Sequence, residues 1–320
     1  MLSVVVPMFD EESVLPHTLP RMRAVLDGMG EPYELICVDD GSTDQTAGLL
    51  RVARAGWPEL RLVRLRANAG HQAALTAGLD VALGDYVVTI DADLQDPPEL
   101  IPTLLERARA GADVVYAVRN DRRSDSAFKR ITAGLYYRIA RRVAGPQMRA
   151  HAGDYRLISR AAVEALRSLP ERHRVYRLLI PWLGFPSATV EYTRSARAAG
   201  TTKYPLSKMV RLAADSITSF TAAPLRIATW LGAGGFAVCL LLGTSAIGAY
   251  FAGVTVPGWA SVTVALLFVG AVQLLCLGLL GEYVGRLFSE TQRRPLYFIA
   301  EDTGMPAVDH HRIAVDDPRR

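Results

Sequence analysis

The segment 86–99, YVVTIDADLQDPPE, drives a hydrophobic run into Asp91-Ala92-Asp93, with Gln95 and Asp96 close behind. In an extended chain alternate residues share a side, so Asp91 and Asp93 can face one ligand together. Hard carboxylate oxygens suit Mg²⁺ or Mn²⁺. Such a cation binds a diphosphate and neutralises it as it departs. An isolated DxD recurs by chance and at helix caps. This one closes the fourth strand of an alternating pattern, which is a more demanding context. A second acidic pair, Asp39-Asp40, ends another apolar run in ELICVDDGSTDQT (34–46), where Gly41-Ser42 make a turn and Thr43 or Asp44 caps a helix. A capped turn accounts for Ser42 and Asp44 but not for two adjacent carboxylates, which could accept from a base imide or ribose hydroxyls. In VVVPMFDEE (4–12), Pro7 and Phe9 could wall a base, although core packing explains Phe9 alone.

The elements that must position these groups are legible in the first third of the chain. Strands are expected at 3–6, 34–38, 61–65, 86–90 and 113–117, with helices near 12–28, 44–55, 71–83 and 98–110. Strands alternating with ten-to-fifteen-residue helices imply βαβ units around a mostly parallel sheet. Such sheets bind ligands beyond the carboxyl ends of their strands. Asp10-Glu11-Glu12, Asp39-Asp40, Asn68 and Asp91-Ala92-Asp93 all fall there, so one crevice could collect them.

The rest of the chain points to a lipid surface. Residues 227–281 contain no Asp, Glu, Lys or Arg. The stretches 225–251 and 259–281, of 27 and 23 residues, are each long enough to cross a hydrocarbon core. The alternative is a buried helical hairpin in a soluble protein. Lys208 and Arg211 precede the first stretch and Arg226 stands at its start, and Arg286, Arg293 and Arg294 follow the second. The positive-inside rule then places both termini in the cytoplasm. Residues 127–144 put Phe128, Ile131, Leu135 and Ile139 on one helical stripe, with Lys129, Arg130, Arg138 and Arg141 mostly opposite. That pattern fits a helix on a membrane surface and equally one packed on a core. Glu282 is expected to reach the interface or to pair with Arg286. The tail after about 300 reads as polar and loose.

Composition narrows the classes further. Thirty-six basic residues oppose 32 acidic ones, an excess too small to imply a nucleic-acid partner. Cys37, Cys239 and Cys276 are far apart in apolar runs, so neither a disulfide frame nor structural zinc is indicated. The N-terminus reads as a strand rather than a signal peptide. No GxSxG, HExxH, Walker A or GxGxxG motif occurs. His71 and His151 lie near the acidic segments, but a lone histidine is more often a hydrogen-bonded structural residue.

Together with RANAGHQAALTAGLD at 66–80, the three acidic segments resemble a family 2 glycosyltransferase of GT-A fold. More narrowly, residues 1–295 are similar to the polyprenyl-phosphate glycosyltransferases, the group that includes dolichol-phosphate mannose synthase and the GtrB-type bactoprenol glucosyl transferases. The resemblance implies an α/β, Rossmann-like, mostly parallel sheet with amphipathic interfacial helices and two C-terminal transmembrane helices. The corresponding division is a cytoplasmic catalytic domain at 1–224, with interfacial helices near 127–144 and 205–222, a hairpin at 225–285 and a cytoplasmic tail at 286–320.

By the same resemblance Pro7, Phe9 and Glu11 line the nucleotide, Val38 and Asp40 hold base and ribose, and Asp91, Ala92, Asp93 and Gln95 form the metal and diphosphate cluster, with Mg²⁺ or Mn²⁺ as cofactor. Phe9-Asp10 stands where the family usually has Tyr-Asn, and Ala69 where an aromatic often follows Asn68. Arg119 and Arg130 are implied to meet the acceptor phosphate, a role suited to guanidinium groups. Arg197 and Lys203, in the segment RAAGTTKY, are implied to clasp the donor diphosphate, with Thr201-Thr202 replacing the usual Glu-Ser or similar pair. Asp154, in GDYRLISR, is a candidate base, although a phosphate acceptor is already anionic. The implied reaction moves one sugar, with inversion, from a nucleotide-diphosphate donor to undecaprenyl or decaprenyl phosphate at the bacterial inner membrane. The base could be uracil or guanine. Relatives with two spans imply a homotetramer. Two rivals are a processive polysaccharide synthase, which should carry QxxRW and more spans, and a non-catalytic nucleotide-binding subunit, which predicts a damaged metal cluster. Neither signature is present.

Overall fold

The computed structural model describes residues 1–119, 152–171, 174–193, 223–253 and 258–304. It divides into two compact units, one of residues 1–204 and 295–320 and one of 205–294. The first unit is a mixed, mostly parallel α/β sheet. In chain order its described elements are β1 (Leu2–Met8), α1 (Leu15–Gly28), β2 (Tyr33–Asp39), α2 (Thr46–Ala55), β3 (Leu60–Leu65), α3 (His71–Val81), β4 (Tyr86–Thr89), α4 (Ile101–Arg109), β5 (Val114–Arg119), β6 (Ala152–Ser159), α5 (Arg160–Ser168), α6 (Tyr176–Trp182) and β7 (Ser187–Tyr192). Two long helices, α7 (Ala223–Phe251) and α8 (Trp259–Thr291), make up the described part of the second unit. The chain then returns to the first as β8 (Ile299–Asp302).

Strand order is β7-β5-β6-β4-β1-β2-β3-β8. β1 lies parallel to β2 and β4, and β2 lies parallel to β3. β6 runs antiparallel between β4 and β5, so β5 points the same way as β4. Every residue of β1 is buried, as expected of a central strand covered on both faces. Leu15, Met22 and Leu26 of α1 and Leu104, Leu105 and Ala108 of α4 lie in the core. Helix α3 approaches the sheet through small residues. A Cβ on Gly78 would lie 2.2 Å from Val5 Cγ1, so the sequence AALTAGLD is what lets this helix sit so close.

The four helices and five strands expected in the first third all form, with ends displaced by a few residues. Three strands were not anticipated. β6 carries Asp154 and Arg156, the latter almost wholly buried, so its pattern does not read as an apolar strand. β7 is a short edge strand. β8 corrects the expectation of a loose tail for its first residues, because Ile299–Asp302 pairs antiparallel with β3, while 305–320 lie outside the described residues. The polar side chains that made the segment look solvated are used there. Arg61 forks onto Asp302 at 2.8 and 2.7 Å, and Arg51 reaches Glu301 at 2.6 Å.

Helices α7 and α8 are long and apolar enough to cross a membrane, and Trp230, Phe236, Leu266 and Leu274 are among their exposed side chains. They pack on each other, with Cys276 Sγ 3.6 Å from the Ala228 carbonyl. Glu282 accepts from Arg286 Nε at 3.0 Å, the pairing expected of it. The interfacial stretches 127–144 and 205–222 lie outside the described residues.

Candidate active site

The described groups implicated by the sequence lie near one edge of the sheet. β1, β2, β4 and β5 end there, and β6 begins there. The loops after β1 and β2 are laced together by local polar pairing. The Asp10 amide donates to Ser42 Oγ at 3.0 Å, Asp10 Oδ1 accepts the Thr43 amide at 2.9 Å, and the Glu11 amide donates to Thr46 Oγ1 at 2.9 Å. Asp10 has φ +52°. Phe9, just before this turn, is 43% exposed, whereas every residue of β1 is buried.

The pair ending β2 is largely committed to architecture. Asp39 Oδ1 accepts the Ser42 amide at 2.9 Å, and its other oxygen lies 3.1 Å from Arg64 Nε. Asp40 accepts the Ala69 and Gly70 amides at 2.8 and 2.9 Å, which fixes the approach to α3. Burial raises the Asp40 carboxyl and those two amides oppose the rise. Val38 is wholly buried, with α3 against it. Gly41 is required where it stands. Its φ is +70°, and a Cβ would meet the Ala67 carbonyl carbon at 2.7 Å.

After β4 the chain turns sharply. Leu94 has φ +55°, and the Gln95 amide donates to Asp93 Oδ1 at 3.1 Å. The Ala92 carbonyl accepts Thr18 Oγ1 at 2.8 Å, anchoring the loop on α1. Burial pushes the Asp91 carboxyl up to about 6, helped by the charges of Asp154, Asp96 and Asp93 and opposed by His71. Among the described residues no three His, Cys, Asp or Glu side chains form a ready metal site. Gln95 Oε1 is nevertheless a buried acceptor with no hydrogen-bond partner among the described residues. Crowded carboxylates and a spare carboxamide oxygen fit a hard divalent cation, which Asp91, Asp93 and Gln95 would hold.

Two further clusters flank this loop. His71, the first residue of α3, places Nε2 3.5 Å from Asp154 Oδ2 and 3.9 Å from Asp91 Oδ1. Arg156 donates to Asp154 Oδ1 at 2.5 Å, and Arg177 lies 3.5 Å from Oδ2. Burial would raise the Asp154 carboxyl, but His71, Arg156 and Arg177 outweigh it and hold the group well below the usual carboxylate range. So strongly acidic a carboxyl is a poor proton acceptor and a good anchor. On the other side Arg119, at the end of β5, donates from Nε to the Tyr192 hydroxyl at 3.1 Å and lies 3.4 Å from Asp96 Oδ1.

The structure thus places Asp91, Asp93 and Gln95 on one loop, with Arg119 and Asp154 attached to it through neighbours. Arg130, Arg197 and Lys203 lie outside the described residues. His71, Asp96, Arg156, Arg177 and Tyr192 were not identified as site residues from the sequence. Asp96 stood within the acidic motif and His71 two residues after Ala69, but nothing local marks Arg177 or Tyr192, which arrive from distant elements.

Comparison with known proteins gives the family. The glycosyl transferase family 2 profile matches residues 3–167, and the GtrB C-terminal hairpin profile matches residues 223–287. A Bacillus subtilis protein described as the uncharacterized glycosyltransferase YkcC is 39% identical over 95% of this chain and 94% of its own. The chain belongs to glycosyl transferase family 2. The bactoprenol glucosyl transferase of Shigella phage SfV is a 38% identical relative, covering 94% of this chain and 98% of its own. Among solved structures, the Mycobacterium tuberculosis glucosyl-3-phosphoglycerate synthase complex with Mn²⁺, uridine diphosphate and phosphoglyceric acid aligns at 25% identity with a TM-score of 0.48, over 68% of this chain and 76% of that one. As a family 2 glycosyltransferase, the chain carries its acidic strand-end motif and its apolar hairpin in one polypeptide.

Proposed function

We propose that this glycosyltransferase transfers a single sugar from a nucleoside-diphosphate donor to a polyprenyl phosphate, with inversion at the anomeric carbon. The observation that carries the reading is the union in one chain of the Asp91–Gln95 loop with a two-helix apolar hairpin that matches the GtrB C-terminal hairpin. The names of relatives such as the phage bactoprenol glucosyl transferase support the acceptor class.

In this reading the Phe9 ring and the loop after β1 receive the base. Asp91, Asp93 and Gln95 would hold a Mg²⁺ or Mn²⁺ ion, which would supply positive charge beside the leaving diphosphate. Arg197 and Lys203 clasp that diphosphate, while Arg119 and Arg130 receive the acceptor phosphate. One acceptor oxygen attacks the anomeric carbon, a new C–O bond forms, and the bond to the nucleoside diphosphate breaks with its electron pair leaving on that group. The phosphate is already anionic, so no proton need be removed, consistent with Asp154 acting as an anchor. Rate then comes from positioning and from charge stabilisation on the leaving group.

Leaving the bilayer would cost the acceptor's lipid about 0.8 kcal/mol per exposed CH₂, so chemistry belongs at the interface. Basic flanks at Lys208, Arg211, Arg226, Arg286, Arg293 and Arg294 favour a cytoplasmic catalytic domain on the bacterial inner membrane, with hairpin residues 225–285 spanning it. The test is transfer of radiolabel from a panel of nucleotide sugars into chloroform-soluble product by purified protein, with Mg²⁺ or with EDTA. EDTA-sensitive label with at least one donor is expected. No label with any donor would overturn the reading in favour of a non-catalytic nucleotide-binding subunit.

A further inference from the structure

Arg119 does not stand alone. The parallel register of β5 and β7 makes Arg119 and Tyr192 direct partners across the ladder. The Tyr192 hydroxyl accepts from Arg119 Nε at 3.1 Å and donates to Asp96 Oδ1. Asp96 Oδ1 also lies 3.4 Å from Arg119 Nη2. Asp96 is 1% exposed and Tyr192 is 7% exposed, whereas the Arg119 side chain keeps 29% of its surface. Arg119 Nη1 has no hydrogen-bond partner among the described residues. The Tyr192 ring packs edge-on against Tyr155 at 6.0 Å, and the Tyr155 hydroxyl donates to the Pro97 carbonyl at 2.9 Å. Tyr155 and Tyr192 therefore grip the Asp96-Pro97 step from two sides, and this step directly follows Gln95.

We propose that Tyr192 and Asp96 are positioning residues that fix the Arg119 guanidinium beside the donor loop for the acceptor phosphate. The inference rests on the reading of Arg119 as an acceptor-phosphate ligand. An arginine free in solvent must lose rotamer freedom when it binds a phosphate. Two bonds made before the acceptor arrives remove much of that cost from binding, and the remaining N–H groups stay available to phosphate oxygens. Burial, with the hydrogen bond to Asp96, pushes the Tyr192 hydroxyl up to about 12, so it remains a neutral donor at working pH. Because the brace is built on the residue after Gln95, the ligands of donor and acceptor share one support.

Tyr192→Phe removes the hydroxyl and keeps the ring that packs on Tyr155. Steady-state kinetics of the full-length enzyme in detergent should show the KM for polyprenyl phosphate rising about tenfold, the loss of one hydrogen bond to a charged group. The KM for the nucleotide sugar, and calorimetric affinity for the nucleoside diphosphate with Mg²⁺, should stay within about twofold. Arg119→Ala should raise the acceptor KM at least as far, and the double variant should be no worse than Arg119→Ala alone. An Arg119→Ala effect with no Tyr192→Phe effect overturns the brace and leaves the acceptor reading standing. Equal increases in both KM values for Tyr192→Phe reduce Tyr192 to a structural residue and overturn it as well. An acceptor KM unmoved by Arg119→Ala sinks the acceptor reading itself.

Discussion

Replacing Asp302 by Ala tests how the chain is rejoined to the sheet after the hairpin. The Arg61 and Asp302 side chains are 13% and 2% exposed, and two near-ideal bonds of 2.8 and 2.7 Å join them. Asp302 Oδ1 also accepts the Gly304 amide at 2.9 Å. Among the described residues, the substitution leaves the Arg61 guanidinium with the Val81 carbonyl at 3.1 Å as its remaining hydrogen-bond partner. Breaking a buried pair by removing one partner costs about 3–5 kcal/mol. Arg61 retains some solvent, so the lower figure applies, and about 3 kcal/mol is a factor of about 150 in a local opening constant. The half-exposed Arg51–Glu301 pair contributes at most about 1 kcal/mol. Hydrogen exchange by mass spectrometry on the intact protein in micelles reads the result directly. The Thr303 amide, which donates to the Leu62 carbonyl, should exchange about 150-fold faster, and peptides from β1 and β4 should not change. The Arg61→Met/Asp302→Leu double substitution removes both charges and should cost far less than Asp302→Ala. Unaltered protection of 297–304 in Asp302→Ala, or a double substitution as damaging as the single one, would refute the reasoning.

Asp93→Asn should lower kcat by about 10²–10³ while the protein still inserts into membranes, checked by radiolabel transfer and carbonate extraction. His71→Ala removes the group between Asp91 and Asp154 and should weaken metal-dependent nucleotide binding about 10–100-fold, measured by calorimetry with Mn²⁺. Phe9→Ala should raise the donor KM about tenfold without lowering the melting temperature, since base–aromatic stacking contributes about 1–3 kcal/mol and the ring is already half exposed. Gly41→Ala should destabilise the catalytic unit by about 2 kcal/mol and weaken nucleotide binding with it, because its methyl group meets the Ala67–Asn68 backbone. Thermal melts of the two variants, compared in one detergent, separate the last two cases.

The sequence by itself determined the α/β alternation, the acidic strand ends and the apolar hairpin. Each of these is a local pattern: short β-branched apolar runs alternating with helical stretches, acidic pairs at their ends, and long runs without charge. It placed Asp91, Asp93 and Gln95 on one loop because three residues in five cannot be far apart. Tertiary structure alone decided what the polar residues do. Asp40, a ligand candidate by sequence, accepts two loop amides because α3 packs close enough to bring them. Asp154, a candidate base, is held as an anion by Arg156, by Arg177 from a separate helix, and by His71 from across the site. Tyr192 meets Arg119 only through the β5–β7 ladder, 73 residues apart in the chain. Asp302 and Glu301 looked solvated until arginines of β3 and α2 claimed them. A charged side chain declares its type in the sequence, but its role is set by the partner that folding brings to it, and such partners carry no local signature.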